Sequence, residues 1–252
     1  MEPRLSGVAI VTGGGQGLGR AYCLELAAKG AAVVVADLRL DAASRVAAEV
    51  ASLGGRAIPV QVDVASADSV SALMDHVAAE LGPPTILVNN AAVFSTLQMR
   101  PFTEIPDAEW DQVMAVNVRG VFNCCRAAVP LMAANNYGKI INISSATVFL
   151  GRPLYLHYVT SKAAVIGLTR ALATEVGPMG IRVNAITPGS VQTEIERASI
   201  TPAQREAMAA STPLRRAEVP SDVVGTVIFL ASPESDFITG QTINVDGGFS
   251  YH

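Results

Sequence analysis

The stretch VAIVTGGGQGLG, residues 8–19, decides the predicted fold. Its first half is a short apolar run rich in β-branched residues, which is typical of a strand buried inside a parallel sheet. Its second half is a glycine turn, and a helical pattern follows over residues 20–29 until Gly30 stops it. A strand, a glycine turn and a helix in this order place the positive end of the helix dipole where a pyrophosphate can bind.

The glycine spacing departs from the strict dinucleotide fingerprint G-x-G-x-x-G. Counted from Gly13, Leu18 stands where the last glycine of that fingerprint would be, and the pattern is T-G-x-x-x-G-x-G instead. An ordinary glycine-rich turn has the same composition, so the glycines alone do not establish a cofactor site. Gly13, Gln16, Gly17, Leu18 and Gly19 are therefore candidate cofactor ligands whose assignment depends on the rest of the chain.

Asp37 stands at the end of the second predicted buried strand, residues 32–36. An acid about 20 residues beyond such a turn accepts hydrogen bonds from the adenosine ribose hydroxyls and repels a 2′-phosphate. Gln16 is not basic, which removes one partner for such a phosphate. These residues predict NAD as the cofactor. Two alternatives stay open: a lone Asp after a strand caps a helix more often than it binds, and Arg39 is close enough to meet a phosphate.

The alternation of apolar runs and helical patterns continues to the end of the chain. Further strands are predicted at residues 57–61, 86–88, 139–143, 181–186 and 241–245, and further helices at residues 40–53, 66–81, 107–132, 158–177 and 219–231, with a loop at residues 146–157. Seven strands with helices between them indicate one doubly wound α/β domain over residues 1–252. A polar stretch at residues 190–216, with a short helix signal at residues 201–202, is predicted to be a substrate lid.

Composition excludes several classes of protein. Half of the residues are apolar and 16% are charged, so the chain can bury a large core. The net charge of −4 and the scattered basic residues predict no general attraction to nucleic acid or to an anionic membrane. No apolar stretch is long enough to span a bilayer, and the N-terminus has no apolar signal region. Three cysteines, with no His or Cys at metal-ligand spacing, predict buried thiols, no metal site and a reducing cytoplasm.

The sequence YVTSK, residues 158–162, contains the candidate acid/base. Tyr158 and Lys162 are four residues apart, which places them on one face of a helix. A neighbouring ammonium lowers the pKa of a phenol, and moving it from ~10 to about 7 needs roughly 4 kcal/mol. Such a phenol can give or take a proton at neutral pH. By itself, a Tyr and Lys pair at this spacing is more often the edge of a core beside a solvated neighbour.

The motifs together resemble the short-chain dehydrogenase/reductase family. Along the chain come the glycine turn, residues 89–91 (NNA), Ser145, the Tyr158 and Lys162 pair, and residues 188–189 (PG). The resemblance covers essentially the whole length, and it implies a Rossmann-type seven-stranded parallel sheet with the order 3-2-1-4-5-6-7. One departure is Ala92, where the family commonly has the glycine of N-N-A-G. The extra methyl group is expected to shift the loop near the cofactor slightly.

The resemblance also implies four catalytic roles. Tyr158 resembles the acid/base of the family, and Lys162 the residue that lowers its pKa and holds the nicotinamide ribose. Ser145 would donate a hydrogen bond to the substrate oxygen. Asn117 would hold a water that links Lys162 to solvent, although an Asn inside a helix is usually just solvated.

Further cofactor contacts follow from the same resemblance. Asp63 and Val64 would meet the adenine, Asn90 the middle of the cofactor, and Val191 with Thr193 the nicotinamide carboxamide. The family is commonly tetrameric through the helices that carry Asn117 and Tyr158 and through the last strand with its preceding helix, so a homotetramer is expected. The aromatic tail, residues 249–252, is expected to dock on its own subunit or on a neighbour.

The predicted activity is hydride transfer between NAD(H) and a secondary alcohol or ketone. A dinucleotide-binding sensor on the same fold is the alternative from another class, but it would not require the Tyr, Lys and Ser that are present here. Residues 93–95, 146–157 and 191–195 are expected to face the reacting carbon. Because most of them are apolar or aromatic, they predict an aryl or alicyclic substrate. If Arg152 points inward, it would suit an anionic or sugar-like substrate, or an acyl-carrier thioester; as a solvated loop charge it gives no information about the substrate.

Overall fold

The sheet at the centre of the molecule has seven parallel strands in the order β3-β2-β1-β4-β5-β6-β7. The computed structural model describes residues 5–195 and 201–251. The strands are β1 (Val8–Thr12), β2 (Ala32–Asp37), β3 (Arg56–Gln61), β4 (Pro84–Asn89), β5 (Gly138–Ile143), β6 (Ile181–Pro188) and β7 (Thr242–Val245). The predicted fold class and strand order are thereby confirmed.

Helices cover both faces of this sheet. They are α1 (Gly17–Ala28), α2 (Leu40–Ser52), α3 (Ala67–Glu80), α4 (Asp107–Met114), α5 (Gly120–Ala133), α6 (Thr147–Leu150), α7 (Leu156–Val176), α8 (Pro202–Ser211) and α9 (Pro220–Ala231). One buried cluster joins the sheet to α1, α2 and α9, and a second joins it to α3, α5 and α7. None of these helices is both long enough and apolar enough to cross a bilayer.

Strands β1 to β6 supply apolar side chains to both clusters, whereas the edge strand β7 supplies them only to the first. In β1, Ala9 and Val11 belong to the first cluster, whereas Val8 and Ile10 belong to the second. Side chains of a strand alternate between the two faces of a sheet, so a strand covered on both faces must be apolar at every position. This requirement explains why the strands are continuous apolar runs in the sequence.

The glycine turn brings α1 very close to the end of β1. A Cβ on Gly19 would lie 2.0 Å from the Gly13 carbonyl oxygen, and Gly13 itself has a φ of +63°. The strand order reverses here, because β1 pairs with β2 on one side and with β4 on the other. A doubly wound sheet opens a crevice for ligands at such a position.

Two elements differ from the sequence-based expectations. The helix predicted over residues 107–132 is interrupted by a π-helical turn, Ala115–Arg119, which separates α4 from α5. The stretch predicted as a loop over residues 146–157 contains α6, and α7 begins two residues before Tyr158. Helical periodicity cannot show a single wide turn, because that turn is stabilised by side-chain contacts distant in sequence.

The polar stretch predicted as a lid contains α8. A capping box formed by Thr201 and Gln204 begins this helix. At the end of the stretch, Arg216 forms an ion pair with Asp222 at 2.6 Å, which ties it to the first turn of α9. Residues 196–200, inside the predicted lid, lie outside the described part of the chain.

Candidate active site

A cavity of about 670 Å³ lies at the carboxyl edge of the sheet. It brings together most of the residues that the sequence analysis singled out. The lining includes Gly13, Gln16, Leu18, Gly19, Asp37, Asp63, Val64, Asn90, Ser145, Tyr158, Lys162, Val191 and Thr193. Gly17 and Asn117 are not among the lining residues; they lie behind the wall and hold it in place.

Lys162 is held at the end of β5. Its side chain is buried, and its Nζ donates a hydrogen bond to the Ile143 carbonyl oxygen at 2.7 Å. Nζ lies 5.8 Å from the centre of the Tyr158 ring, one turn earlier on α7. Burial lowers the pKa of Lys162 to about 8, because a low-dielectric surrounding disfavours the ammonium.

Ser145 lies directly after β5, beside this lysine. Its Oγ accepts a hydrogen bond from Thr147 Oγ1 at 2.9 Å. The preceding Ser144 donates to the Lys162 carbonyl oxygen at 2.7 Å, which fixes α7 against the strand end. Ser145, Tyr158 and Lys162 therefore all line the cavity, although Ser145 comes from the loop after β5 and the other two come from α7.

Asn117 is fully buried in the π-helical turn, so a merely solvated Asn is excluded. Its Oδ1 accepts from the Val93 N–H at 2.8 Å, and its Nδ2 donates to Ser161 Oγ at 3.1 Å. These bonds join the segment after β4 to α7. The signal in the sequence was an Asn in the middle of an otherwise apolar helical pattern.

Asn90 connects the glycine turn to the end of β4 by hydrogen bonds. Its Nδ2 donates to the carbonyl oxygens of Thr12 and Gly13, each at 3.0 Å. A Cβ on Gly13 would lie 2.9 Å from the Ala91 Cα, so the turn and this loop are in direct backbone contact. The Asn90 side chain therefore fixes the shape of the glycine turn and also lines the cavity.

The amino end of α1 binds a carboxylate. Glu194, from the stretch after β6, accepts a hydrogen bond from the Gly17 N–H at 2.8 Å. Gln16, the N-cap residue, contributes no side-chain hydrogen bond to the helix. Anions are stabilised at a helix amino end, so this contact fits a cradle for a pyrophosphate. Sequence analysis did not identify Glu194, because nothing local places it near the glycine turn.

Asp37 lies in the wall next to the glycine turn. Its carboxylate accepts from the Gly15 N–H at 2.9 Å and from the Arg39 N–H at 3.0 Å. The Arg39 guanidinium donates to Gln16 Oε1 at 2.6 Å. The Asp37 carboxylate is thus held in place where a ribose is expected. The partner of the nearby Arg39 guanidinium, Gln16, is a neutral side chain that also lines the cavity. The glycine cradle at the amino end of α1 and this acid together fit a dinucleotide.

The ring of Tyr158, the proposed acid/base, lies against two other aromatic rings. Phe94 stacks on Tyr158 with ring centres 4.5 Å apart, and Tyr155 lies 6.1 Å from Phe94. Leu97 and Val113 are buried with Tyr155 and Tyr158 in a separate small cluster. Of the segments expected to face the reacting carbon, residues 93–95 all line the cavity, as do residues 191–193 and 195, but only residues 146, 147, 150, 152 and 155 of the stretch 146–157 do so.

The carboxyl-terminal tail forms hydrogen bonds with the turn after β7 as far as Ser250, and docking on a neighbouring subunit stays a prediction. Asp246 accepts hydrogen bonds from the Ser250 N–H at 2.8 Å and from its hydroxyl at 2.6 Å. Phe249 lines the cavity, whereas Tyr251 is exposed. His252 lies outside the described residues.

Comparison with known sequences identifies the class of protein. A family model described as enoyl-(acyl carrier protein) reductase matches residues 13–250. FabG of Staphylococcus aureus, a 3-oxoacyl-(acyl-carrier-protein) reductase, is 39% identical over 242 residues, which are 95% of this chain and 96% of that protein. An uncharacterized oxidoreductase of Mycobacterium tuberculosis is 43% identical over 244 residues, 96% of this chain and 97% of that one.

Solved structures agree with this result. A provisionally named short-chain alcohol dehydrogenase of Sinorhizobium meliloti is 35% identical with a TM-score of 0.92, over 98% of this chain and 99% of that one. A provisionally named gluconate dehydrogenase of Agrobacterium tumefaciens is 34% identical with a TM-score of 0.92, over 98% and 97%. The chain belongs to the short-chain dehydrogenase/reductase family. It is an oxidoreductase of that family, whose members use a nicotinamide dinucleotide.

We expect Lys162 to titrate near pH 8 in the free protein, well below its ordinary value of 10.5. Burial is the cause, so the amine is charged below this pH and neutral above it. Lysine ¹³Cε chemical shifts, followed against pH, measure the titration, and the signal missing from Lys162→Met gives the assignment. A midpoint above 10 would contradict the expectation.

Proposed function

We propose that the protein transfers a hydride between NAD(H) and a secondary alcohol or ketone, with Tyr158 as the acid/base. The observation that carries this proposal is one cavity that is lined by Ser145, Tyr158 and Lys162 as well as by Asp37 and the glycine turn. The nicotinamide, when bound, supplies or accepts the hydride. Retention of all three polar residues supports an enzyme over a dinucleotide sensor.

In this proposal the protein's own groups handle the substrate oxygen. During reduction, Tyr158 donates a proton to the carbonyl oxygen while the Ser145 hydroxyl donates a hydrogen bond to it; during oxidation, Tyr158 takes the proton back. Lys162 stabilises the phenolate form of Tyr158 by its charge and binds the nicotinamide ribose. Asn117 holds the loop beside them, and we propose that it also orders a water that connects Lys162 to solvent.

Replacing Tyr158 separates proton transfer from cofactor binding. We expect Tyr158→Phe to lower kcat by at least ~100-fold, since general acid–base catalysis contributes about 10²–10⁴-fold, while the Kd for NAD changes little. Lys162→Ala should weaken both, because Lys162 is proposed to contact the ribose. Steady-state kinetics and calorimetric titration with NAD measure the two effects. Substantial turnover by the Phe variant would refute the assigned role.

The preference for NAD rests on the electrostatics around Asp37. Its carboxylate is nearly buried and held by two backbone N–H groups, so it cannot easily turn away from a 2′-phosphate. Arg39, the cation that could neutralise such a phosphate, donates instead to Gln16 Oε1. A fixed anion at this position favours free ribose hydroxyls.

We expect the wild-type protein to use NAD more efficiently than NADP. Asp37→Asn keeps a carbonyl oxygen for the Gly15 N–H but removes the charge, so it should raise the NADP-to-NAD ratio of kcat/KM at least ~10-fold. Asp75→Asn, an exposed change on α3 outside the cavity, is the matched control and should leave the ratio unchanged. Equal efficiency of the wild type with both cofactors would refute the preference and would implicate Arg39.

The substrate part of the cavity supports a hydrophobic alcohol or ketone. Phe94 and Tyr155 form its aromatic wall beside Tyr158, and Leu150, Ile195, Met208 and Phe249 also line it. Each methylene that a substrate buries there contributes about 0.8 kcal/mol. An aryl or alicyclic ring fits flat aromatic walls best, so we propose substrates of this class.

A 3-oxoacyl thioester is the second candidate, and one observation favours it. The Arg152 guanidinium lies over the Tyr155 ring, 5.8 Å from its centre, in the cavity wall. A cation at the rim of an apolar cavity would suit the phosphate of an acyl carrier. The 39% identity to FabG of Staphylococcus aureus supports the same candidate.

A substrate panel run in both directions distinguishes the candidates. We expect a phenyl-substituted ethanol and a cyclohexanol to be oxidised with NAD, and the matching ketones to be reduced with NADH. Arg152→Ala should leave these rates within about twofold, since the neutral rings of these substrates cannot form an ion pair with Arg152. Arg45→Ala, exposed on α2, is the control. If kcat/KM is far higher with sugars or acyl-carrier thioesters than with these alcohols, and Arg152→Ala abolishes that activity, the proposed substrate class is wrong.

We also propose a homotetramer in a reducing cytoplasm. Large apolar side chains are exposed on three of the surfaces that would meet: Phe122 on α5, Leu156 on α7 and Phe229 on α9. Burying such surface against a second copy is favourable. The three cysteines are buried free thiols, which suits a reducing compartment. Light scattering at micromolar concentration should give four subunits, and a monomer would count against the assembly.

A further inference from the structure

A cluster of charged and titratable side chains, partly buried, lies directly before Tyr158. His157 lies in the first turn of α7 next to the tyrosine, and its imidazole is completely buried. Its Nε2 lies 3.2 Å from Oε1 of Glu109 on α4. The other oxygen of Glu109 lies 3.4 Å from Nη2 of Arg100, whose backbone N–H donates to the Leu154 carbonyl oxygen at 3.2 Å. The cluster therefore joins α4, the start of α7 and the segment between β4 and α4.

The Glu109 carboxylate faces His157, but Nε2 and Oε1, 3.2 Å apart, are not aligned as a hydrogen bond, and neither atom has a hydrogen-bond partner among the described residues. A buried imidazole N–H needs a partner, because an unsatisfied donor costs about 1–3 kcal/mol. Burial lowers the pKa of His157, and the negative charge of Glu109 opposes this shift. The ring is therefore neutral at pH 7, and it faces a carboxylate whose other oxygen faces Arg100. This series of contacts, from Arg100 through Glu109 to His157, fixes the angle between α4 and α7.

The same two helices position the ring of Tyr158. Val113 lies one turn after Glu109 on α4 and is buried with Tyr155 and Tyr158. Because residues four apart share a helix face, Glu109 and Val113 both point toward the beginning of α7. One helix face thus holds His157 through a polar contact and packs on Tyr158 through an apolar one. A displacement of α4 would move the phenol relative to Ser145.

We propose that Arg100, Glu109 and His157 are positioning residues that hold Tyr158 in the orientation needed for proton transfer. The proposal rests on the acid/base role of Tyr158 given above. It predicts that losing the network lowers turnover and leaves dinucleotide binding intact, since Lys162 is anchored separately at the Ile143 carbonyl oxygen.

Variants of Glu109 test the proposal. We expect Glu109→Ala to lower kcat about 10-fold, since a small misplacement of a reacting group can cost up to ~100-fold, with the Kd for NAD within twofold of wild type. Glu109→Gln keeps an acceptor for His157 and should recover most of kcat. Asp111→Asn, which removes an exposed charge from the same helix, is the matched control and should behave as wild type. The readouts are kcat with the best ketone of the panel, calorimetric Kd for NAD, and Tm.

Wild-type kcat in Glu109→Ala would overturn the proposal, even if Tm falls, because the network would then be structural alone. A parallel loss of kcat and NAD affinity would also overturn it. If Glu109→Ala does not fold, Arg100→Leu decides: a reduced kcat with unchanged Kd supports the proposal, and a wild-type kcat refutes it. The Tyr158→Phe variant separates the two proposals, because its activity would refute the acid/base role itself.

Discussion

Two hydrogen bonds between the end of β5 and α7 determine the geometry of the site. Ser144 donates to the Lys162 carbonyl oxygen, and Lys162 Nζ donates to the Ile143 carbonyl oxygen, both at 2.7 Å. Both bonds are buried, so breaking either would leave a polar group without a partner at a substantial cost. Since Ser145 follows Ser144 and Tyr158 lies one turn before Lys162, this pair sets the separation of the two groups proposed to hold the substrate oxygen.

Buried amides at the strand ends extend this arrangement across the sheet. Asn89 donates to Asn142 Oδ1 at 2.8 Å, and Asn142 donates to Thr169 Oγ1 on α7 at 2.9 Å. Asn90 and Asn117 bind backbone groups of the glycine turn and of Val93. Parallel strands end at the same edge of the sheet, so short amides there can connect neighbouring loops without large side chains. The edge is therefore connected by side-chain hydrogen bonds, although most of its residues lie in turns.

The part of the site near the dinucleotide and the part near the substrate were predictable to different degrees. The glycine turn, Asp37 and the Tyr158 and Lys162 pair each lie within a few residues of one strand or helix, and their spacing follows from local geometry. The aromatic stacking of Phe94 on Tyr158, the Glu194 contact at α1 and the Glu109–His157 pair join residues far apart in sequence. No periodicity encodes such contacts.

The sequence by itself determined the fold class, the strand order through its family resemblance, and the residues available for proton transfer. Apolar runs and glycine turns specify these features because each depends on short-range sterics and on burial of a whole strand. Tertiary structure decided the π-helical turn that buries Asn117, the orientation of Asp37 and Arg39, and the position of Arg152 against Tyr155. These depend on hydrogen bonds and packing between elements, which exist only once the sheet has brought distant segments to one edge.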